Sequence, residues 1–257
     1  MVAFMYDQTT RRHALDLLGS GMSLNRVSQS TGVSRSAIRA WTVRIEPLPG
    51  ITAECPVPAG TPLSTLPRAD YSYLLGLYLG DGCISHLSKG VYTMRIACAD
   101  DWPGLIEACS NVLAKVMPNN KVGRVQCTGC TSVVSCSKHW PCLFPQHGPG
   151  PKHAREIRLT PWQQAIVDEH PWALLRGLIH SDGARVINWT TRPLSTGIRR
   201  YEYPRYFFTN KSTDIRRLFT DTLDDLGVEW KQANAWNISV ARRASVALMD
   251  EHIGAKY

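Results

Sequence analysis

The sequence has 257 residues, a formal net charge of +8 and a pI near 9.2, and 44% of its residues are hydrophobic. This length allows one large domain or two ordinary ones, and the apolar content excludes a disordered chain. The basic balance favours an anionic partner, usually nucleic acid, with an anionic membrane surface as the alternative. The chain lacks a membrane-length apolar run and signal-peptide features, so we expect a cytoplasmic protein without membrane contact.

Residues 1–44 are basic and helical in pattern, with six arginines against two aspartates. The pattern predicts three short helices, the last of them capped by Ser34. This arrangement is typical of a helix-turn-helix domain, whose third helix reads DNA. We expect Arg35, Ser36 and Arg39 to face the DNA from that helix. A generic three-helix cap is the alternative interpretation.

Residues 45–68 contain six prolines. Proline fixes φ and removes a backbone donor, so this density excludes a helix and favours a stiff, extended linker. A tether of this kind raises the effective concentration of a second DNA-binding module on the same duplex.

From residue 69 onward the sequence repeats itself, and we divide it into residues 69–150 and 151–257. Each repeat begins with an apolar helix that ends in Asp-Gly. Two strands, a helix, two further strands and a short apolar helix follow. The strand alternation is clearest at Val91–Cys98 and Ile238–Arg242, and the helical period at Ile215–Leu226. We therefore predict an α+β fold of two αββαββα repeats, preceded by a small all-α helix-turn-helix domain.

The opening helices of the repeats, "LLGLYLGDG" and "LRGLIHSDG", end in Asp81 and Asp182. A carboxylate at a helix C-terminus is disfavoured by ~0.3–1 kcal/mol, because that end carries partial negative charge. A single Asp-Gly pair is most simply a turn after a buried helix. Two copies at equivalent positions instead favour a shared acidic site.

Small residues also lie four positions apart in these helices, so each pair shares one helix face. The pairs are Gly76 with Gly80 and Gly177 with Ser181. Glycine inside a helix costs ~1 kcal/mol relative to alanine, so we expect Gly76 and Gly177 to serve a close packing of the two helices. Such packing would bring the two aspartates together around a divalent cation, and Mg²⁺ suits carboxylates, waters and phosphate.

The two helices resemble the signature helix of the LAGLIDADG homing endonucleases. The matching residues are Leu74, Gly76, Leu77, Asp81 and Gly82 in the first copy and Leu175, Gly177, Leu178, Ile179, Asp182 and Gly183 in the second. The duplication is similar to the single-chain, two-repeat form of that family, over roughly residues 70–255. The resemblance implies a monomer with an internal pseudo-twofold axis, whose sheets form a saddle over the major groove of double-stranded DNA.

The resemblance also implies that Asp81 and Asp182 are catalytic acids that bind Mg²⁺, and that both DNA strands are cleaved. We expect Gly80 and Ser181, which directly precede them, to contribute to the metal site.

Family members place a lysine or a similar residue near the end of the fourth strand, beside the scissile phosphate. The residues in that place here are Lys138 in the first repeat and Arg243, or Arg242, in the second. A cation there would stabilise charge developing on the phosphate. A solvated strand end is the alternative interpretation.

Basic and aromatic residues on the predicted strands are candidates for the DNA-facing surface, through contacts to guanine and to phosphate. These residues are Arg95, Arg185, Tyr203, Arg205 and Lys231. We expect the segment from Arg192 to Arg205 to form a basic loop between the long strands that follows the DNA backbone. A salt-exposed loop without a ligand is the alternative.

The segment from Cys127 to Cys142 holds four cysteines and His139, a composition that structural zinc sites share. The repeat pattern already places these residues in a hairpin, a strand and a helix, so we do not expect structural zinc. The remaining cysteines that we assign to the core are Cys83, Cys98 and Cys109.

The sequence thus predicts a Mg²⁺-dependent, site-specific endonuclease of double-stranded DNA, associated with the nucleoid. The main alternative is a transcription regulator that keeps the saddle only to bind DNA. Regulators that fuse a helix-turn-helix to such a domain usually lack the acids, whereas this sequence has both. A weaker third alternative is an RNA-splicing cofactor.

Overall fold

The computed structural model describes residues 6, 8–43, 45, 66–195, 197–254 and 256–257. The predicted linker, residues 45–68, lies outside this described part except at its two ends. The chain divides between residues 55 and 56 into two compact units, each of which is described by itself. No helix in the described ranges is long and apolar enough to cross a membrane.

The N-terminal unit contains three helices. They are α1 (Gln8–Gly19), α2 (Leu24–Thr31) and α3 (Arg35–Val43). Gly32 ends α2 with a φ of 66°, a left-handed conformation that glycine adopts without strain. The Ser34 hydroxyl accepts a hydrogen bond from the Ala37 amide at 3.3 Å, so it caps α3. A small apolar core holds the helices together, and its buried members are Ala14, Val27, Val33, Ile38 and Trp41.

The second unit begins with the first repeat. Its elements are α4 (Arg68–Leu79), β1 (Gly82–His86), β2 (Tyr92–Ala99), α5 (Pro103–Val116), β3 (Val122–Cys127), β4 (Cys130–Ser137) and α6 (Trp140–Leu143). The strands form an antiparallel sheet in the order β1-β2-β4-β3.

The second repeat has the same sequence of elements after one extra helix, α7 (Pro161–Glu169). They are α8 (Pro171–Asp182), β5 (Gly183–Leu194), β6 (Gly197–Thr209), α9 (Thr213–Asp225), β7 (Lys231–Asn234), β8 (Asn237–Val240) and α10 (Arg243–His252). The sheet order β5-β6-β8-β7 matches that of the first repeat. The predicted α+β fold of two αββαββα repeats is confirmed.

The prediction of a basic loop between Arg192 and Arg205 was wrong, because β5 and β6 continue as a long hairpin through this segment. Strand β8 pairs only with Tyr206–Thr209, so the two strands project beyond the sheet as a two-stranded ribbon, residues 186–205. Pro204 is tolerated there, because β6 has no third strand that would need its missing amide hydrogen.

Helices α4 and α8 pack against each other in the shared core. A Cβ atom added to Gly76 would lie 2.5 Å from the Leu174 carbonyl oxygen and 2.8 Å from the Gly177 Cα atom. A Cβ atom on Gly177 would likewise lie 2.8 Å from the Gly76 Cα atom. Only glycine permits this approach, so the spacing of small residues has the packing role that the sequence predicts.

The segments that follow α6 and α10 are each bound to the first turn of a helix. The Ile157 amide, between α6 and α7, donates to the Asp214 carboxylate in the first turn of α9 at 2.9 Å. The Leu105 amide in the first turn of α5 donates to the Tyr257 carbonyl at 3.1 Å. In the first contact the segment donates to a side chain, and in the second it accepts from the helix backbone.

Candidate metal centre and nucleic-acid interface

The two aspartates meet where α4 and α8 end. Asp81 lies in the turn between α4 and β1, whereas Asp182 is the last residue of α8. One Asp182 oxygen reaches across to the other helix end, 3.2 Å from the place of a Cβ atom on Gly80. Burial, together with the neighbouring negative charge of Asp182, raises the pKa of Asp81 to about 6, and the charges of Lys256 and Lys152 oppose that shift. The carboxylates therefore share one site, as two like charges that repel.

A lysine that the sequence analysis did not select lies at the end of α4. The Lys152 ammonium donates to three carbonyl oxygens, those of Tyr78 at 2.5 Å, Gly80 at 2.5 Å and Gly82 at 2.9 Å. These carbonyls carry the partial negative charge of a helix C-terminus. Burial lowers the pKa of Lys152 to about 8, and Asp182 and Asp81 oppose that shift.

A second lysine occupies the equivalent place in the other repeat. The Lys256 ammonium donates to the Ser181 carbonyl at 2.9 Å, at the end of α8. Burial lowers the pKa of Lys256, and the charges of Asp81 and Asp182 oppose the shift. The site is thus a cluster of two carboxylates and two ammonium groups, with each ammonium bound to the carbonyl that precedes an aspartate.

The spacing of these lysines carried a weak signal. Lys152 follows Asp81 by 71 residues, and Lys256 follows Asp182 by 74. The two distances differ by three residues, so they mark the pair only once the fold is known.

The predicted catalytic cation Lys138 lies at the opposite end of the first sheet from Asp81. Lys138 follows β4, whose last residue, Ser137, lies opposite Tyr92. Asp81 contacts the other end of β2, where its carbonyl accepts from the Ala97 amide. Five residues of strand separate these ends, roughly 16 Å.

In the second repeat the two candidate cations, Arg242 and Arg243, lie at the start of α10. Arg242 forms an ion pair with Glu229, and Arg243 is the first residue of α10. Both side chains are exposed.

The cluster fits a divalent cation that depends on water and on substrate oxygens. In the described residues, no set of three or more His, Cys, Asp or Glu side chains is arranged to hold a metal ion. A cation at this site would therefore have two protein carboxylate ligands, Asp81 and Asp182. Mg²⁺ commonly binds through one or two carboxylates together with waters and phosphates. The sequence predicts that Gly80 and Ser181 contribute to the metal site. Their carbonyl oxygens now accept hydrogen bonds from lysine ammonium groups, so binding a metal through them requires that these hydrogen bonds break.

Each sheet has one face against the helices and one open face. Helix-facing residues include Phe208, which stacks on Phe219 of α9 at 4.3 Å between ring centroids. Side chains alternate along a strand, so the predicted contacts Tyr203 and Arg205 lie on the open face of the second sheet. Lys231 joins them there, because it pairs with Ser239, which pairs with Phe207.

Cations and aromatic rings lie next to one another along the open face of the second sheet and its ribbon. The Arg205 guanidinium lies over the rings of Tyr203 and Phe207, at 5.5 and 5.6 Å from their centroids. Further out, the Arg199 guanidinium lies 5.3 Å from the Tyr201 ring centroid. The stacked rings hold the guanidinium groups in place at the surface.

The placement of Arg185 differs from the expected DNA contact. Arg185 pairs across the strands with Tyr206, which is a buried, helix-facing residue. Its guanidinium binds the Asp250 carboxylate of α10 at 2.6 and 2.8 Å, and the Tyr206 hydroxyl donates to the same carboxylate at 2.7 Å. Arg185 therefore faces the helices and ties the second sheet to α10.

The other predicted contacts lie on accessible surfaces. Arg95 is exposed between the buried Met94 and Ile96, so it lies on the open face of the first sheet. In the N-terminal unit, Arg35, Ser36 and Arg39 are exposed on α3, and the Arg35 guanidinium donates to the Asn25 side chain at 3.0 Å.

The cysteines are distributed through the first repeat. Cys98 and Cys109 are buried, as expected, with their sulfur atoms 3.5 Å apart. Cys83 is exposed, so its assignment to the core was wrong. It alternates onto the open face of β1, opposite Arg95.

Neither a family model nor a curated protein sequence matches this chain. Mesophilic variants of the homing endonuclease I-DmoI match at 17% identity and a TM-score of 0.51, over 72% of this chain and 96% of that one. The LAGLIDADG meganuclease I-AabMI, bound to uncleaved DNA, matches at 11% identity and a TM-score of 0.46, over 71% and 82%. The N-terminal LAGLIDADG domain of DUF199/WhiA matches at 12% identity and a TM-score of 0.42, over 77% and 87%. The second unit therefore has the two-repeat LAGLIDADG fold.

Proposed function

We propose that this chain is a site-specific endonuclease that hydrolyses both strands of double-stranded DNA with Mg²⁺ held at Asp81 and Asp182. The observation that carries the proposal is the meeting of the two carboxylates at the ends of α4 and α8. Two neighbouring carboxylates repel each other, which raises the electrostatic free energy of the folded protein. A cation bound between them removes this repulsion, so an accessible carboxylate pair favours cation binding. The likeness to I-DmoI supports the fold on which this proposal rests.

The side chains of the cluster have separate roles in this function. Asp81 and Asp182 hold the cation, which when bound supplies Lewis acidity and an activated water for phosphodiester hydrolysis. We assign the neighbouring charge stabilisation to Lys152 and Lys256, whose ammonium groups lie beside both carboxylates. Preorganised cations of this kind stabilise negative charge that develops on phosphate oxygens.

The open faces of the two sheets would bind the duplex. Arg205, Tyr203 and Lys231 supply the larger share of the charge and aromatic surface, and Arg95 supplies the contact from the first sheet. The exposed residues of α3, with Arg35 and Arg39, provide a second contact on DNA. Binding through many phosphates should weaken by ~10³–10⁵ between about 50 and 200 mM salt.

A randomised DNA library incubated with Mg²⁺ tests the proposal. We expect the unchanged protein to cut a small set of related sites, and Asp81→Asn or Asp182→Asn to abolish cutting while DNA binding persists. Lys138→Met is the matched control and should cut normally, because Lys138 lies at the far end of the first sheet. Cutting that survives both aspartate substitutions would reject the metal centre.

The alternative function is a DNA-binding regulator that does not cut. One observation favours it. The ammonium groups of Lys152 and Lys256 donate hydrogen bonds to the carbonyl oxygens at both helix ends, and their positive charge offsets the negative charge of the aspartates without a metal. The N-terminal helices with their exposed arginines also suit such a role. Tight, sequence-selective binding without cleavage in Mg²⁺ or Mn²⁺ would support the regulator, and selective retention of RNA would instead support a splicing cofactor.

A further inference from the structure

Two thiols of the first repeat lie directly opposite each other on neighbouring strands. Cys127 ends β3, Cys130 begins β4, and the two residues pair across a two-residue turn. Gly129 in that turn has a φ of 73°, a left-handed conformation that keeps the hairpin tight. Opposed residues of an antiparallel pair have Cα atoms roughly 4.5–5.5 Å apart, and a disulfide bond requires about 4.4–6.8 Å. The backbone therefore permits a bond between the two sulfur atoms.

Both thiols are reduced, and both are reached from the open face of the first sheet. Cys130 alternates with the buried Thr131, so its side chain and that of its partner Cys127 point away from the helices. Cys127 is exposed and Cys130 is half-buried. Partial loss of solvent contact and the charge of the neighbouring Cys127 raise the pKa of Cys130. Cys127 is therefore the thiol that meets a dissolved reagent first, with Cys130 beside it.

Three other cysteines show what distinguishes this pair. Cys98 and Cys109 have sulfur atoms 3.5 Å apart, but both residues are buried. Cys136 is exposed on the same face of β4, but it pairs with Thr93 and lies six residues from Cys130, roughly 20 Å along the strand. The hairpin pair combines a neighbouring thiol with access from solvent, and each of these cysteines lacks one of the two.

The second repeat builds the equivalent turn without sulfur. There Asn234 at the end of β7 pairs with Asn237 at the start of β8, in a sheet of the same strand order. The fold therefore does not need Cys127 and Cys130 in order to form this hairpin. Their role is chemical rather than structural.

We propose that Cys127 and Cys130 are an oxidation site at which a peroxide forms a reversible disulfide bond. The Cys127 thiolate attacks one oxygen of hydrogen peroxide, the O–O bond breaks and hydroxide leaves, so that a sulfenic acid forms at Cys127. The Cys130 sulfur then loses its proton and attacks the Cys127 sulfur, the S–O bond breaks and water leaves. In total the two thiols lose two electrons and two protons, and the peroxide is reduced to two water molecules.

This inference is independent of the proposed nuclease function, because the reaction belongs to the DNA-free protein. It is tested by treating the full-length chain with hydrogen peroxide in a Cys55→Ser background, since Cys55 lies outside the described residues. After alkylation of the remaining thiols, trypsin releases residues 125–138 as one peptide that contains Cys127, Cys130 and Cys136. Mass spectrometry should find the first two joined and Cys136 alkylated, and a thiol reductant should reverse the bond. We expect the pair to lose its thiols at least about tenfold faster than Cys136 does.

Two substitutions separate a reacting pair from exposed single thiols. Cys130→Ser removes the second sulfur and should leave Cys127 as a sulfenic acid that a cyclic diketone probe labels, whereas the parent protein should take up little label. Cys136→Ser is the matched control on the same strand and face, and it should leave the rate of bond formation unchanged. Equal rates of thiol loss at Cys127 and Cys136, without a bond, would overturn the inference. A bond between Cys98 and Cys109 in place of the hairpin bond would overturn it as well.

Discussion

The two sheets of the second unit share their strand order and their helix-facing cores, but their open faces differ. The first presents small and neutral side chains around Arg95, namely Cys83, Ala97, Ser132, Val134 and Cys136. The second presents rings and cations, namely Tyr203, Arg205, Phe207 and Lys231. Residues that pack against helices are constrained by the fold, whereas open-face residues are not. The repeats therefore keep one skeleton while their capacity to bind an anion diverges.

The hairpins differ in the same direction. Strands β1 and β2 have 5 and 8 residues, whereas β5 and β6 have 12 and 13. A strand of that length spans roughly 40 Å, so the second hairpin reaches well beyond its sheet. We expect the second repeat to supply most of the affinity for DNA.

The largest expected effect concerns the place where the repeats are equivalent. A valine at Gly76 or at Gly177 would drive α4 and α8 apart, and each substitution should lower the free energy of unfolding by about 3 kcal/mol or more. Chemical denaturation measures this loss. Gly123→Ala is the control, because a Cβ atom there meets only Val134 at 3.4 Å. A much smaller loss for one of the two valine substitutions would show that the repeats are not equivalent at the contact.

A smaller effect separates the two lysines. Lys152→Met leaves three carbonyl oxygens without their donor, whereas Lys256→Met leaves one. We expect losses of about 2 and about 1 kcal/mol in the free energy of unfolding. Thermal unfolding of the two variants side by side measures the difference, and a reversed order would mean that Lys256 is the stronger cap.

The difference between the open faces predicts a difference in DNA affinity. Arg205→Ala and Lys231→Ala should each weaken duplex binding by up to about tenfold and lower the slope of the salt dependence by about one. Arg95→Ala should have a smaller effect, because Arg95 is the single cation within strands β1 to β4 on this face. Fluorescence anisotropy at several salt concentrations measures all three. Equal losses would contradict the predominance of the second repeat.

The smallest effect is expected at Arg185. Arg185→Met removes an ion pair with Asp250 that is partly exposed, so the loss of stability should be about 1 kcal/mol, without loss of DNA affinity. The hydrogen bond from Arg185 lowers the pKa of Asp250. The pair therefore stabilises the protein above the unfolded-state pKa of about 4, and this contribution disappears as the pH falls further. The free energies of unfolding of the unchanged protein and of Arg185→Met, measured against pH, should converge in acid. A weaker DNA affinity of the variant would show that Arg185 contacts DNA.

The sequence was sufficient for the features that repeat with a regular period. The order of helices and strands follows from the alternation of apolar residues, and the meeting of Asp81 with Asp182 follows from the glycines that precede them. Both depend on neighbours within a few residues or on a visible duplication.

The positions of the cations relative to the aspartates, and the extent of the ribbon, could not be predicted from local sequence pattern. The direction of β4 places Lys138 away from Asp81, and strand direction cannot be obtained from local pattern. Lys152 and Lys256 reach the acids because the segments that follow α6 and α10 fold back to the ends of α4 and α8, which are distant in the sequence. The segment from Arg192 to Arg205 was predicted as a loop, because the sequence does not show how far the two strands of a hairpin continue beyond the third strand of their sheet.

The crossed ends of the repeats have a consequence for how the chain can be divided. Ile157, which lies between α6 and α7, is bound to α9 through Asp214, and Tyr257, which follows α10, is bound to α5 through Leu105. If the chain is divided after Arg158, a terminal segment of each part is thus hydrogen-bonded to a helix of the other part. These contacts add to the packing of α4 against α8 at the glycines. Fragments produced separately, divided after Arg158, are expected to associate on mixing and to rebuild both sheets without a peptide bond between them.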